Sequence, residues 1–113
     1  MSDYSYWHDD VVRFNYLDPL WHLTSTAYMI MMENARIRFI REAEDTLDTP
    51  LAGWMVVNAK VNYLSQVRYP DAVRIGTRVE RIGRSSLRTQ QAMFNGGVCA
   101  ATLEATLVGS DAA

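Results

Sequence analysis

The amino-acid sequence predicts an α+β domain: one long helix packed against an antiparallel sheet of five strands. Three observations predict it. Only the stretch from about 24 to 43 sustains helical periodicity, with no Gly or Pro inside it. From Trp54 to Val108 the chain alternates with a period of two, interrupted by short turn sequences. The 113 residues suffice for one sheet on one or two helices, so residues 1–113 form one domain.

A first strand is expected over 7–14, where β-branched Val11 and Val12 stand between Trp7 and Phe14. Residues 15–23 form a loop in which Pro19 biases Asp18 toward extended backbone. The helix follows over 24–43. Ala27, Ile30, Met31, Asn34 and Ile37 share one side, and Met32, Ala35, Phe39 and Ala43 widen the apolar face. That breadth predicts a helix that is wrapped rather than laid on a surface. Thr24, Ser25 and Thr26 are candidate N-caps, and Asp48, Thr49 and Pro50 close the helical region. Met29, Met31 and Met32 read as core packing, and Glu33 with Arg36 as an ion pair.

The second half is strand. Over Trp54–Tyr63, Met55, Val57, Ala59, Val61 and Tyr63 oppose Asn58, Lys60 and Asn62. Tyr69-Pro70-Asp71 is a turn. Val73, Ile75, Thr77 and Val79 then alternate with Arg74, Arg78 and Glu80, and Gly83 begins the next turn. Leu87, Thr89, Gln91 and Met93 make the fourth strand. Asn95-Gly96-Gly97 supplies residues that accept positive φ in a hairpin. The last strand runs from Val98 to Val108, and Gly109 to Ala113 read as a short tail. A sheet with free edges and one long helix to cover it predicts a homodimer or homotetramer.

Composition excludes several functions. A net charge of −2 and a pI of about 5.6 leave no electrostatic footprint for nucleic acid. The single cysteine, Cys99, excludes an internal disulfide and the multi-cysteine zinc sites, and it reads as a small core residue. With two histidines, His8 and His22, no familiar metal-ligand spacing is present. No apolar run is long enough to span a membrane, and no signal peptide is visible, so the expectation is a cytoplasmic protein without a membrane partner.

The segment able to do chemistry lies between the first strand and the helix. Asp18 and His22 share a short loop that leads into Thr24-Ser25-Thr26. A helix N-terminus offers unpaired N–H groups and partial positive charge. A carboxylate beside it can act as base or nucleophile. The bland alternative is a loop acid that starts a turn, as Asp before Pro often does. His22 is equally readable as a loop histidine bonded to a carbonyl, or as a group that orients Asp18 or carries a proton.

The stretch Val12-Arg13-Phe14, Asp18-Pro19, His22, Tyr28, Glu33, Ala35-Arg36 resembles the hotdog-fold acyl-CoA thioesterases of the 4-hydroxybenzoyl-CoA thioesterase type. That family reads V-R-x-x-D-x-D-x-x-G-H-V-N-N-x-x-Y, followed by a helix with E-x-A-R, and the spacing agrees without gaps. Pro70-Asp71, Ile82-Gly83-Arg84-Ser85-Ser86-Leu87 and Ala100-Ala101-Thr102 look like its later strands. The resemblance implies a five-stranded antiparallel sheet wrapped around a central helix, subunits paired edge to edge, and active sites at the dimer interface. It implies hydrolysis of an acyl-CoA or acyl-carrier-protein thioester, with coenzyme A only as part of the substrate and no metal or redox cofactor.

By position, the resemblance makes Asp18 the catalytic aspartate, His22 the histidine of many members, and Ser25 the residue whose N–H polarises the thioester carbonyl. Trp21, Thr24 and Tyr28 fall around the substrate. Arg68, Arg84, Ser85 and Ser86 are candidates for the phosphates of coenzyme A, the turn at Arg84 being the better one. Four positions depart from the family. Tyr16 replaces the first acid, Thr24 and Ser25 replace the two asparagines, and Trp21 replaces a glycine that permits close approach or an unusual φ. Two alternatives follow: an acyl-CoA hydratase or dehydratase, which the missing Asn and shorter spacing oppose, and a non-catalytic acyl-binding module with Trp21 occluding the pocket.

Overall fold

The structure is a computed structural model that describes residues 4–47 and 53–109. Its order is β1 (Tyr6–Val11), α1 (Ser25–Leu47), β2 (Trp54–Tyr63), β3 (Ala72–Ile82), β4 (Ser86–Asn95) and β5 (Val98–Gly109), with a short 3-10 turn at Phe14–Tyr16. All strand pairs are antiparallel, and the sheet order is β1-β3-β4-β5-β2. The expected α+β architecture is therefore present: five strands curved over one long helix.

The inner face of the sheet alternates as expected. Val73, Ile75 and Thr77 of β3 are buried, as are Thr89, Gln91 and Met93 of β4 and Ala101, Leu103, Ala105 and Leu107 of β5. Of these, Val73, Ile75, Met93, Ala101 and Leu103 meet Ala27, Tyr28, Met31, Met32 and Ala35 of α1 in one core. Each large side chain so buried is favourable by roughly 1.5–3 kcal/mol. One polar link crosses this core: Gln91 Nε2 donates to the Met32 carbonyl at 2.8 Å and to Thr77 Oγ1 at 3.0 Å. On the outer face Tyr4 lies over Gly76, where a Cβ would stand 2.7 Å from Tyr4 Cγ.

Four expectations need correction. The first strand stops at Val11, not Phe14, because Asp10 Oδ1 accepts from Val11 N at 2.8 Å and from Arg13 Nη1 at 3.3 Å. Such local bonds compete with the ladder, and the chain turns. The helix continues through Leu47, since nothing in Glu44–Leu47 breaks it. Its buried face holds Ala27, Met31 and Ala35 with Tyr28, Met32 and Arg36, whereas Ile30, Asn34 and Ile37 are exposed. In β2 a bulge between Val56 and Asn58 breaks the alternation, so Val56 rather than Val57 pairs with buried Leu107. The sequence expectation of Asp48, Thr49 and Pro50 as a helix stop lies outside the described residues.

Two elements lack cover. Among the described residues β2 has β5 as its one neighbouring strand, and most of its residues are exposed. Ile30 and Ile37 line the open side of α1. Between them Arg36 is buried beside Glu33, 3.6 Å from Nη2 to Oε2, which is the ion pair the spacing predicts. Burial pulls the Arg36 guanidinium below its ordinary value, and Glu33 opposes that shift. Among the described residues no helix is long and apolar enough to cross a membrane.

Candidate active site

The loop between β1 and α1 folds back on itself. Asp18 N donates to the His22 carbonyl at 2.8 Å, Trp21 N to the Asp18 carbonyl at 3.0 Å, and Thr24 N to the Tyr16 carbonyl at 2.9 Å. Leu17 and Leu23 form an isolated antiparallel bridge. A second segment then clamps this loop from the side: Leu23 N donates to the Val67 carbonyl at 2.8 Å, and His22 bridges Arg68. Bridged residues project to the same side of the ladder, so the Arg68 side chain leaves beside His22. The segment turns at Arg68–Asp71 through a cis Tyr69–Pro70 bond, and Val12 N closes it by donating to the Asp71 carbonyl at 3.0 Å.

Asp18 sits half-buried at the centre of this clamp. Its Oδ1 accepts from Leu20 N at 2.8 Å and from His22 N at 3.1 Å. Its Oδ2 has no partner among the described residues. One oxygen fixes the carboxylate and the other is free to react. The orientation expected of His22 is thus delivered by its backbone amide, and its imidazole has no partner among the described residues.

At the start of α1, Ala27 N donates to the Thr24 carbonyl at 2.9 Å. Ser25 N and Thr26 N have no acceptor among the described residues, as expected for the first turn of a helix. Tyr63 Oη donates to the Ser25 carbonyl at 3.1 Å and pins that turn to the end of β2. Tyr28 is 4% exposed, and its hydroxyl donates to the Ser65 carbonyl at 2.9 Å. Burial raises the Tyr28 hydroxyl above its ordinary value, with the Tyr63 ring and the Asp18 carboxylate adding to the shift and the Val67 amide opposing it. Tyr28 is a supporting core residue here, its polar tip already spent.

Trp21 has φ 66°, the left-handed region that favours glycine. The unusual φ expected at this position is present, and an indole bears it. The ring meets Phe14 at a tilt of 55°, with centroids 5.9 Å apart, and Phe14 meets Tyr69 edge-on at 6.1 Å. Phe14 and Tyr69 went unnoticed in the sequence because one reads as the end of a strand and the other as a turn residue.

The structure separates the remaining candidates. Arg84, Ser85 and Ser86 lie in the β3–β4 hairpin. β3 starts beside the Asp18 clamp and runs 11 residues away from it, roughly 33 Å at the usual rise per residue. Within one chain this hairpin does not share a site with Asp18. Ser86 Oγ is also packed 2.5 Å from where a Gly83 Cβ would stand. Among the described residues no three His, Cys, Asp or Glu side chains are grouped to hold a metal.

The arrangement, then, is a fixed carboxylate with one free oxygen, a free imidazole, a cation at Arg68, and unspent N–H groups at a helix start. Comparison with known proteins gives the family. The sequence profile of the Thioesterase-like superfamily matches residues 12–113. No curated protein sequence matches the chain. Among solved structures, a thioesterase from Thermus thermophilus, complexed with coenzyme A and Zn, is 31% identical with a TM-score of 0.84, over 96% of this chain and 82% of that one. A thioesterase superfamily protein from a Jannaschia species is 23% identical with a TM-score of 0.86, over 100% of this chain and 75% of that one. The DHNA-CoA thioesterase from Staphylococcus aureus is 24% identical with a TM-score of 0.77, over 90% of this chain and 71% of that one. With the five-stranded sheet, the central helix and a profile match over nearly the whole chain, this protein belongs to the thioesterase-like superfamily of hotdog fold.

Proposed function

We propose that this protein hydrolyses an acyl-CoA thioester, with Asp18 as base or nucleophile and the N–H groups at the start of α1 as the oxyanion site. The observation that supports this best is the asymmetry of Asp18: Oδ1 is held by two loop amides and Oδ2 is unpartnered among the described residues. In the base route, Oδ2 removes a proton from water as the water oxygen attacks the thioester carbonyl. The carbonyl oxygen becomes an anion facing Ser25 N–H. Collapse expels the thiolate, which takes up the proton and leaves as free thiol. In the nucleophile route, Oδ2 attacks the carbonyl directly, expels the thiolate, and water hydrolyses the resulting anhydride. One oxyanion donor of this kind is worth roughly 2.7–4 kcal/mol in the barrier. His22, whose backbone amide holds Asp18 Oδ1, is the candidate to move the proton.

A homodimer or homotetramer is part of the same proposal. The uncovered length of β2 and the exposed Ile30 and Ile37 favour it, and a second copy is the only source from which Arg84, Ser85 and Ser86 could reach this site. So is a cytoplasmic setting, and so is coenzyme A rather than a carrier protein, which the coenzyme A complex of the Thermus thermophilus thioesterase favours. The occlusion alternative finds no support in Trp21, whose ring is turned toward Phe14. The test is a panel of short, long and aromatic acyl-CoA substrates with free thiol as the readout. Turnover of at least one is expected. Silence across the panel, with ligand still bound, would replace hydrolysis with acyl binding.

A further inference from the structure

Phe14, Trp21 and Tyr69 form a ring cluster unlike the others in the molecule. Every other ring pair among the described residues contains at least one buried or half-buried ring. Here the exposures are 64%, 62% and 45%, and neighbouring Leu20 is 72% exposed. The rings meet at 55° and 76°, tilted and edge-on rather than stacked face to face. A large side chain is held at φ 66° to complete the cluster, which a loop serving only to position Asp18 does not require. The cluster is built on the Asp18 turn itself, since Trp21 N donates to the Asp18 carbonyl. Arg68, next to Tyr69 and bridged to His22, is exposed and has no ion-pair partner among the described residues. Arg13, by contrast, is already committed to Asp10.

Exposed π faces beside an unpaired cation fit a planar aromatic base that carries phosphate. We propose that the nucleotide half of a coenzyme A substrate is seated here, its base against Trp21 and Phe14 with Tyr69 at the edge, and a phosphate facing Arg68. This rests on the thioesterase reading of Asp18 and adds to it the place of the nucleotide. It moves the nucleotide away from the Arg84–Ser86 hairpin of the same chain, which lies at the far end of β3. Stacking tolerates any base face and gives affinity through contact area, while the guanidinium supplies charge-assisted bonds to phosphate.

The test is direct binding of coenzyme A, adenosine 3′,5′-bisphosphate and pantetheine to the full chain by calorimetry. The variants are Phe14→Leu, Trp21→Gly and Arg68→Gln, each checked for an unchanged circular dichroism spectrum. Phe14→Leu keeps apolar packing while removing the ring face. We expect the bisphosphate to bind and to compete with coenzyme A, and each variant to weaken both about tenfold, with pantetheine unaffected. Wild-type affinity in all three variants would overturn the proposal. So would loss, in the same variants, of binding to an acidic acyl-carrier protein with none to the nucleotide. Binding is read without turnover, so a failure here is distinguishable from a failure of Asp18 chemistry.

Discussion

Replacing Trp21 by glycine and by alanine gives a sign test of the loop that holds Asp18. Both variants lose the same stacking on Phe14, so that loss cancels between them. What remains is backbone. At φ 66° an L-residue pays roughly 1–2 kcal/mol for the left-handed conformation, and glycine does not. Glycine gives back about 0.4–1 kcal/mol through its greater freedom in the unfolded chain. The glycine variant should therefore be the more stable by roughly 0.5–1 kcal/mol. At an ordinary loop position with negative φ, alanine wins by about 0.4–1 kcal/mol. Urea unfolding at one fixed protein concentration, to hold any subunit association constant, reads this as a midpoint higher by a few tenths molar for Trp21→Gly, given a slope of about 1–3 kcal/mol/M. A midpoint for Trp21→Ala equal to or above that of Trp21→Gly would refute the loop geometry, and with it the clamp on Asp18.

Three further perturbations test the frame. Gln91→Ala removes two buried hydrogen bonds, to the Met32 carbonyl and to Thr77, and should cost about 2–3 kcal/mol in the same assay; a cost under about 0.5 kcal/mol would mean that this link is not made. Gly76→Ala places a Cβ 2.7 Å from Tyr4 Cγ and should destabilise by about 1–3 kcal/mol. That penalty should largely vanish in a Tyr4→Ala background, and full additivity would refute the contact. Burial raises the Tyr28 hydroxyl above its ordinary 10.0. The native state then holds this proton longer than the unfolded chain, so its contribution is complete below pH 10 and is lost as pH rises through the folded value. Tyr28→Phe should flatten that alkaline decline and cost about 1 kcal/mol at neutral pH for the lost bond to Ser65; an unchanged alkaline limb would contradict it.

The sheet was legible because period-two alternation survives in single strands: β2 begins at Trp54 and ends at Tyr63 as expected. The bulge at Val57 was not legible, since an inserted residue in a run of valines leaves the composition of the strand unchanged. The helix was legible as a helix, but its buried face was not. Ile30 and Ile37 are as apolar as Met31, and periodicity cannot say which apolar stripe meets the sheet and which stays open. At the site, Asp18, His22 and the helix start are close in sequence, and the loop bonds that join them are local. Trp21 was visible as a departure from a glycine position, and its φ gives the physical reason. Phe14 and Tyr69 come together only because Val12 pairs with Asp71 and His22 with Arg68, contacts between distant segments that no local pattern encodes. The separation of Arg84 from Asp18 is likewise a property of β3's length and direction, not of the turn at Arg84 itself.

Asp18→Asn tests, with the least disturbance, the proposal that the free oxygen of Asp18 does the chemistry. The amide keeps an oxygen able to accept from Leu20 N and His22 N, so the loop survives while the reactive carboxylate is gone. Thiol release from the best acyl-CoA of the panel, measured for both proteins at matched urea stability, is the decisive comparison. Asp18→Asn should unfold within about 0.5 kcal/mol of the wild type and lose at least about a hundredfold in kcat. Wild-type turnover in a folded Asp18→Asn protein would contradict it.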